Sequence, residues 1–598
     1  LAALPATDSQ QAREILDLSG VRGGLIVHVG CGDGKLTAAL RFNDSYVVHG
    51  LDPDAQRIEA ARQSLQSAGL YGKVTVEQWT AKRLPYADNL VNLVVAEDLG
   101  AIPMDEVMRV LAPLGVACVK SGGQWTKTVK PWPKEIDEWT HFMHGPDNNA
   151  VAHDTVVGPP KYLQWVAEPL YGRTHEIDSG VSALVSARGR LFYILDDGPI
   201  GLADQRLPEK WALVARDAFS GVFLWKVPLP NWGWTEWKKE LLTGKDWTSV
   251  SRQRVMFPAA LPKRLVADGD KVYVTFGFHA PISQVDAATG ATLRTYTGTE
   301  NADEIICSED TLLVCTRANL GGPAKDSLMA VNPATGQVLW KQEGLEVKAL
   351  SLAAEAGRVV FKSPTGIVCL DQRTGKTLWR NTVGQAARAK QKERKANEGV
   401  VEGWQWRVSE TFLLQNGIVL SMAGNLEAMS LETGKLLWTS PAPPGELYEL
   451  APDLFVANGL AWYGTGEKGI DLQTGAVKRT IDIMNLISVG HHPRCYPGKA
   501  TDRYLIWHKQ GAEFVDLQTG TNHMRNDWMR GPCRYGVMPC NGLLYAAPHA
   551  CKCYVGVKLS GFNALSAQKL PWPKDLPPAP RLEQGPAYAM LATLNSPA

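Results

Sequence analysis

From about residue 180 onward one short pattern returns along the chain: a strand-like run, an Asp-x-x-Thr-Gly turn, then a Trp or another apolar residue. The copies are Arg216-Asp217-Ala218-Phe219-Ser220-Gly221 with Trp225, Val285-Asp286-Ala287-Ala288-Thr289-Gly290, Val331-Asn332-Pro333-Ala334-Thr335-Gly336 with Trp340, and Leu370-Asp371-Gln372-Arg373-Thr374-Gly375 with Trp379. They continue as Ser430-Leu431-Glu432-Thr433-Gly434 with Trp438, as turns ending at Gly475 and Gly520, and as a worn copy, Phe562 to Ala567. Steps often fall close to 45 residues, the length of one four-stranded propeller blade. The longer steps hold insertions, one with Trp232, Trp234, Trp237 and Trp247, the other the charged stretch Arg388 to Glu398.

The motif is local physics. Asp or Asn accepts backbone N–H bonds at the turn and Thr supports it with its hydroxyl, Gly supplies positive φ, and the Trp covers the neighbouring blade. Alternating strands such as Lys271-Val272-Tyr273-Val274-Thr275 exclude a helical solenoid. These residues resemble the quinoprotein-type, PQQ-like propeller family, which includes PQQ-dependent alcohol dehydrogenases and cofactor-free propeller lipoproteins of outer-membrane assembly. The resemblance covers about 160–598 and implies an all-β propeller of eight blades.

At 598 residues more than one core is expected. The net charge of +1 gives no field to draw nucleic acid or an acidic membrane. No apolar run approaches the ~20 residues that span a bilayer. The small apolar start, Leu1-Ala2-Ala3-Leu4-Pro5-Ala6, looks like the stub left by a removed signal peptide, so an exported, periplasmic or extracellular location is expected. Cys307 with Cys315, and Cys533 with Cys540, flank short turns and are candidate disulfides.

The first 130 residues read differently. Leu25 to Val29 is a buried-strand run leading into Gly30-Cys31-Gly32-Asp33-Gly34, followed by a helix over 35–41 and a strand, Tyr46 to Leu51, ending at Asp52. Glycines at such a turn admit a ligand to the backbone, and an acid about 20 residues on can hold a ribose. The spacing resembles the class I S-adenosylmethionine methyltransferases, through Leu84-Pro85-Tyr86, the strand Leu93 to Ala96 and the helix-strand pair around 107–119. The resemblance implies an α/β Rossmann-like domain, with Gly30, Gly32 and Gly34 under the methionine end of the cofactor and Asp52 on its ribose. The sequence departs from that family where Thr80 replaces an Asp beside the adenine and Val91-Asn92 replace a Phe-Asp. Only 124–133 follow the fifth strand, so the family's last hairpin is absent or cut short. The expected domains are therefore 1–130, a junction over 131–160, and the propeller over 161–598.

The junction carries His141, His144 and His153, with His175 beyond it. His141 and His144 would share a face on a helix and, with His153, could ligate a metal; the alternative is a loop across one propeller mouth with its histidines satisfied by the backbone. Tyr162 to Trp165 is expected to pair with the chain's end and close the ring. His491, His492, Cys495, His549, Cys551 and Cys553 form a second candidate ligand set for copper, zinc or iron. No CxxCH is present for haem, and Cys551-Lys552-Cys553 is not the vicinal pair that the resemblance associates with bound PQQ.

Three classes of function follow. The first is an exported module binding a ligand, a metal or a partner, such as a small molecule, glycan or protein at a propeller face, with a degenerate methyltransferase-like domain. The second is an oxidoreductase with PQQ or a transition metal at the axis. The third is an S-adenosylmethionine-dependent methyltransferase using the propeller for substrate. Fusions of this kind are similar to proteins of planctomycete-type bacteria. The basic run from Arg388 has no interleaved aromatics, so no nucleic-acid partner is expected.

Overall fold

The computed structural model describes residues 6–173, 180–200, 209–233, 236, 258–317, 326–382, 411–422, 425–441, 453–463, 468–482, 496–508, 511–520, 523–549, 559–568, 584 and 588. The chain divides into two compact units, one built on Leu1–Pro133 and one on Lys134–Gln568, with Arg216–Trp225 and Lys569–Ala598 grouped with the first.

In the first unit, helix α1 (Ala6–Ser19) precedes β1 (Gly24–Val29), α2 (Lys35–Leu40), β2 (Tyr46–Asp52), α3 (Ala55–Ser67), β3 (Val74–Gln78), β4 (Val91–Ala96), α4 (Met104–Val110), β5 (Leu111–Ser121) and β6 (Gln124–Val129). The sheet order is β3-β2-β1-β4-β5-β6, with β1 to β5 parallel and β6 antiparallel to β5. Apolar residues on both sides of β1 bury both faces, as a central parallel strand requires: Ile26 packs with Ile15, Leu36 and Ile58, while Val27 and Val29 pack with Val94 and Val107. As the short sequence after the fifth strand predicts, a Gly122-Gly123 turn leads into β6 and then the junction begins.

The second unit is an eight-bladed propeller. Seven blades take their antiparallel strands in sequence order, from Val181–Ala187 innermost in blade 1 to His523–Met524 outermost in blade 7. Blade 8 takes Val537–Cys540, Leu543–Ala546 and Phe562–Ser566 from the chain's end and Tyr162–Ala167 as its outer strand, which closes the ring as expected.

The repeated turn is tighter than its sequence suggests. Asp286 Oδ1 accepts the N–H groups of Ala288 and Thr289 and the Thr289 hydroxyl, and Asp471 repeats this with Gln473 and Thr474. The Trp beyond each turn does more than cover apolar surface. Trp340 Nε1 donates to Gln372 O, Trp379 Nε1 to Leu431 O and Trp438 Nε1 to Leu472 O, so each staples its blade to the next blade's turn. Where Trp is missing, Arg294 donates to Ala334 O and Thr335 O, and Arg479 to Gln518 O.

The motif glycine meets the staple of the blade before. A Cβ on Gly434 would lie 2.5 Å from the Trp379 ring, at a φ of +69°. Gly459 has a similar φ, +73°, with nothing within 4 Å of a Cβ. Gly434→Ala is therefore expected to cost about 2–4 kcal/mol, from left-handed strain plus overpacking. Gly459→Ala is expected to cost only about 1 kcal/mol. Urea midpoints of the two variants check the difference; equal losses would remove the ring contact from the account.

Candidate functional site

In the first unit the resemblance singles out the C-terminal ends of the strands, where the order reverses between β1 and β4. Gly30 and Gly32 have φ of +73° and +55°, and a Cβ on either would meet nothing within 4 Å, so the turn after β1 stands open. Gly34, at φ +78°, packs against Ala61 and starts α2. Asp52 closes β2 but is only 1% exposed. Its Oδ2 accepts the Gly32 N–H at 3.0 Å and its Oδ1 the Asp54 N–H at 2.9 Å. Asn92, where the family has Asp, accepts the Leu25 N–H through Oδ1 and so fixes the start of β1.

The junction is a circuit of the propeller axis. Asn541 N in blade 8 donates to Asp137 O, and in blade 1 Ser186 and Trp139 exchange backbone bonds while Arg188 N donates to Glu138. Ala267 N in blade 2 donates to Thr140 O, and Cys307 N in blade 3 to His141 Nε2. Ala354 N in blade 4 donates to Pro146 O and Leu414 N in blade 5 to Asp147 O. Asn149 takes and returns a bond with the Val456 backbone in blade 6, and Val151–Ala152 lies parallel to Ala500–Thr501 in blade 7 as a fifth strand. The circuit ends in blade 8, where Gly542 N donates to Asp154 Oδ2. Asp137 to Asp154 thus touches the innermost strand or first turn of all eight blades in order.

This arrangement fixes the candidate ligands. His141 and His144 are not on a helix: they pair with each other's backbone across a tight turn, with His144 at φ +73°. His141 is buried, with Nε2 on Cys307 N and Nδ1 2.8 Å from Thr140 Oγ1. His144 Nε2 lies 2.7 Å from Asp137 Oδ2, and His153 Nδ1 is 3.1 Å from Asp502. The bond to Asp502 raises the His153 pKa against its partial burial. The His144 and His153 rings lie edge to face, 5.9 Å apart. Among the described residues no three His, Cys, Asp or Glu side chains converge as a metal site would need.

His491, His492, Cys495, Cys551 and Cys553 lie outside the described residues, as do His175 and the 388–398 run; His549 is described and half-buried. Neither candidate disulfide forms. Cys307 stands opposite Leu312, and Cys315 opposite Glu304, so their side chains sit at different rungs. Cys540 is an unbridged thiol in the core.

Burial, helped by the charges of Lys263 and His144, pushes His141 down to about 3 from an ordinary 6.5. The folded state then leaves His141 neutral while the unfolded chain protonates below pH 6.5. Stability is whole above pH 6.5 and is lost as pH falls toward 3, by about 1.4 kcal/mol per unit. His141→Gln keeps an acceptor for Cys307 without the titration. The variant is expected to lose about 2 kcal/mol less than the parent between pH 6.5 and 5 in urea unfolding. Parallel losses would show that His141 is not the sensor.

Sequence reasoning missed two residues here. Asp154 ties both ends of the circuit, and its signal, an Asp in a polar junction, is faint. Lys499 is 1% exposed, with Nζ 5.8 Å from the Trp139 ring centre, 5.2 Å from Phe142 and 5.6 Å from Tyr535. Burial pushes it down to about 7 despite the opposing pull of Asp453. Nothing in its sequence neighbourhood marks it as buried.

A family described as "Methyltransferase domain" matches residues 26–123, and one described as "Outer membrane protein assembly factor BamB" matches 210–397 and 363–470. A curated relative, Methyltransferase GfsG of Streptomyces halstedii, is 35% identical over 106 residues, which are 17% of this chain and span 37% of that protein. Among solved structures, the YcgJ protein from Bacillus is 21% identical over 19% of this chain and 50% of its own, with a TM-score of 0.17. The geranyl diphosphate C-methyltransferase of Streptomyces coelicolor is 18% identical over 19% and 45%, with a TM-score of 0.18. No helix among the described residues is long and apolar enough to cross a membrane.

Proposed function

We propose that this chain, a methyltransferase fold followed by an eight-bladed PQQ-like propeller, is an exported binding protein of the cell envelope whose methyltransferase fold is not catalytic. The carrying observation is the circuit from Asp137 to Asp154. Among the described residues it engages His141, His144 and His153 with Cys307, Asp137 and Asp502, which supports surface recognition over axial chemistry as the propeller's role. The match to a family named for outer-membrane protein assembly supports both the envelope location and a partner-binding role.

The cofactor of the methyltransferase family needs an open glycine turn and an accessible acid beside it. The glycine turn has room for S-adenosylmethionine, but Asp52 is sealed beneath it with each carboxylate oxygen on a backbone amide. Each oxygen keeps a free lone pair, but at 1% exposure the carboxylate is out of reach of a ribose diol, so the residues as folded do not fit the cofactor.

Titration calorimetry of the full chain with S-adenosylmethionine and S-adenosylhomocysteine tests this. No heat is expected at about millimolar ligand. Saturable binding that disappears in Asp52→Ala would overturn the non-catalytic reading. Stoichiometric metal in elemental analysis, with redox turnover, would move the function to an axial oxidoreductase.

A further inference from the structure

The outer strand of each blade is an edge, and edges with unpaired N–H and C=O groups are templates for another extended chain. Blades 2 to 6 each expose apolar side chains there: Leu293, Leu339, Leu378, Leu437 and Val477, all at least 44% exposed. The charges on these edges differ. Arg294 and Arg479 are bound to the next blade's turn, and Lys341 is paired with Glu343 at 2.6 Å. Lys478 of blade 6 is exposed but has Thr480 and not an apolar residue two positions along, and the blade 5 strand, Leu436–Ser440, has no charged residue.

Blade 4 stands apart. Its outer strand, Thr377–Asn381, turns Trp379 and Asn381 onto blade 5 through bonds to Leu431 O and Gly434 O. Leu378 and Arg380 occupy the opposite face and are exposed, with Arg373 and Lys376 exposed at the turn before them. The acid of the turn before the strand, Asp371, accepts the Thr374 N–H and hydroxyl, and exposed Glu432 lies in the blade 5 turn that Trp379 and Asn381 bind. Among the described residues the strand pairs on one side only, with Gly366–Asp371.

We propose that the outer edge of blade 4 docks an extended acidic polypeptide, which adds as a fifth strand with an apolar residue against Leu378 and, two residues along, a carboxylate against Arg380. The spacing follows from the pleat, which puts residues i and i+2 on one face. Blade 7 accepts a fifth strand, Val151–Ala152, at its inner edge beside Ala500–Thr501, and the outer edge of blade 4 offers the same kind of backbone row. Like charge argues against two other occupants. A second copy would set one basic edge on another, and the 388–398 run carries Arg388, Lys390, Lys392, Arg394 and Lys395 against Glu393 and Glu398. The proposal rests on the binding-protein reading and names its partner.

The test is fluorescence anisotropy of the full chain with an eight-residue peptide alternating apolar and polar positions, Glu at i+2 from Leu, at low salt. A lysine counterpart and a version N-methylated at alternate amides complete the set. Saturable binding of the acidic peptide alone is expected, weakened at least tenfold by the paired change Leu378→Asp with Arg380→Glu. Both positions are exposed, so circular dichroism should be unchanged. Arg380→Glu alone should shift preference toward the lysine peptide. No binding at about 1 mM, or binding indifferent to N-methylation or to the paired change, overturns the proposal. Binding of phosphatidylglycerol vesicles instead, lost in the same variant, also overturns this partner while leaving the binding-protein reading standing. That reading falls on Asp52-dependent S-adenosylmethionine binding or on bound metal with redox turnover, neither of which this assay measures.

Discussion

Asp154→Ala is expected to lower the stability of the propeller by about 3–5 kcal/mol, the largest loss for any single change in the junction. Asp154 is 1% exposed and serves four backbone donors. Oδ1 accepts Val156 N and Val157 N, each at 2.9 Å, and Oδ2 accepts Asp137 N at 3.2 Å and Gly542 N at 2.7 Å. The first pair shapes the exit from the circuit, and the second joins the circuit's beginning and end to blade 8. Alanine leaves four N–H groups without this acceptor, of which those of Val157 and Gly542 are buried and carry a desolvation cost of about 1–3 kcal/mol each, while those of Asp137 and Val156 are partly relieved by water. Asp154→Asn should fall between, because an amide keeps one acceptor but turns an N–H toward the other donors. Urea unfolding measures the loss, and limited proteolysis reports whether 137–154 becomes the first cleaved segment. A variant as stable as the parent would mean that the circuit is decoration on a propeller that closes without it.

Blade count, turn positions and the closing strand were legible in the sequence because each rests on short-range chemistry repeated many times. An Asp-x-x-Thr-Gly turn has one geometry, whichever blade it ends. Four of the five parallel strands of the first unit were legible for a related reason, since residues 25–29 and 93–96 are apolar on both faces and need cover on both, whereas the edge strand Val74–Gln78 is mixed in character and was not singled out. What escaped was long-range. His141 and His144 suggest a helical face by spacing alone, yet backbone donors from two sequence-distant blades, at Ala267 and Cys307, hold the segment as a tight turn. The staple role of Arg294 was likewise hidden, because its likeness to Trp340 lies in an N–H donor at one place in the blade and not in side-chain type. At Asp52 the residue and its strand were readable, but its burial beneath Gly32 depends on how the turn closes.

The second large effect is expected at Glu304, which joins three blades through one carboxylate. It is fully buried on the innermost strand of blade 3, with Oε2 3.0 Å from Lys263 Nζ just before blade 2. The same group accepts Leu350 N and Leu352 N, which lead into blade 4, and Lys263 completes the loop by donating to Leu352 O at 2.8 Å. Glu304→Ala strands a buried ammonium and two amides, so a loss of about 3–5 kcal/mol is expected. Lys263→Met should cost less, because the carboxylate keeps both backbone donors. In a double-mutant cycle the pair should couple by about 2 kcal/mol or more, since the stranded charge is absent once both are replaced. The full double variant should therefore be more stable than Glu304→Ala alone, in spite of lacking one more native side chain. Additive losses would assign the stability of Glu304 to its two amide bonds and leave the ion pair without a net role.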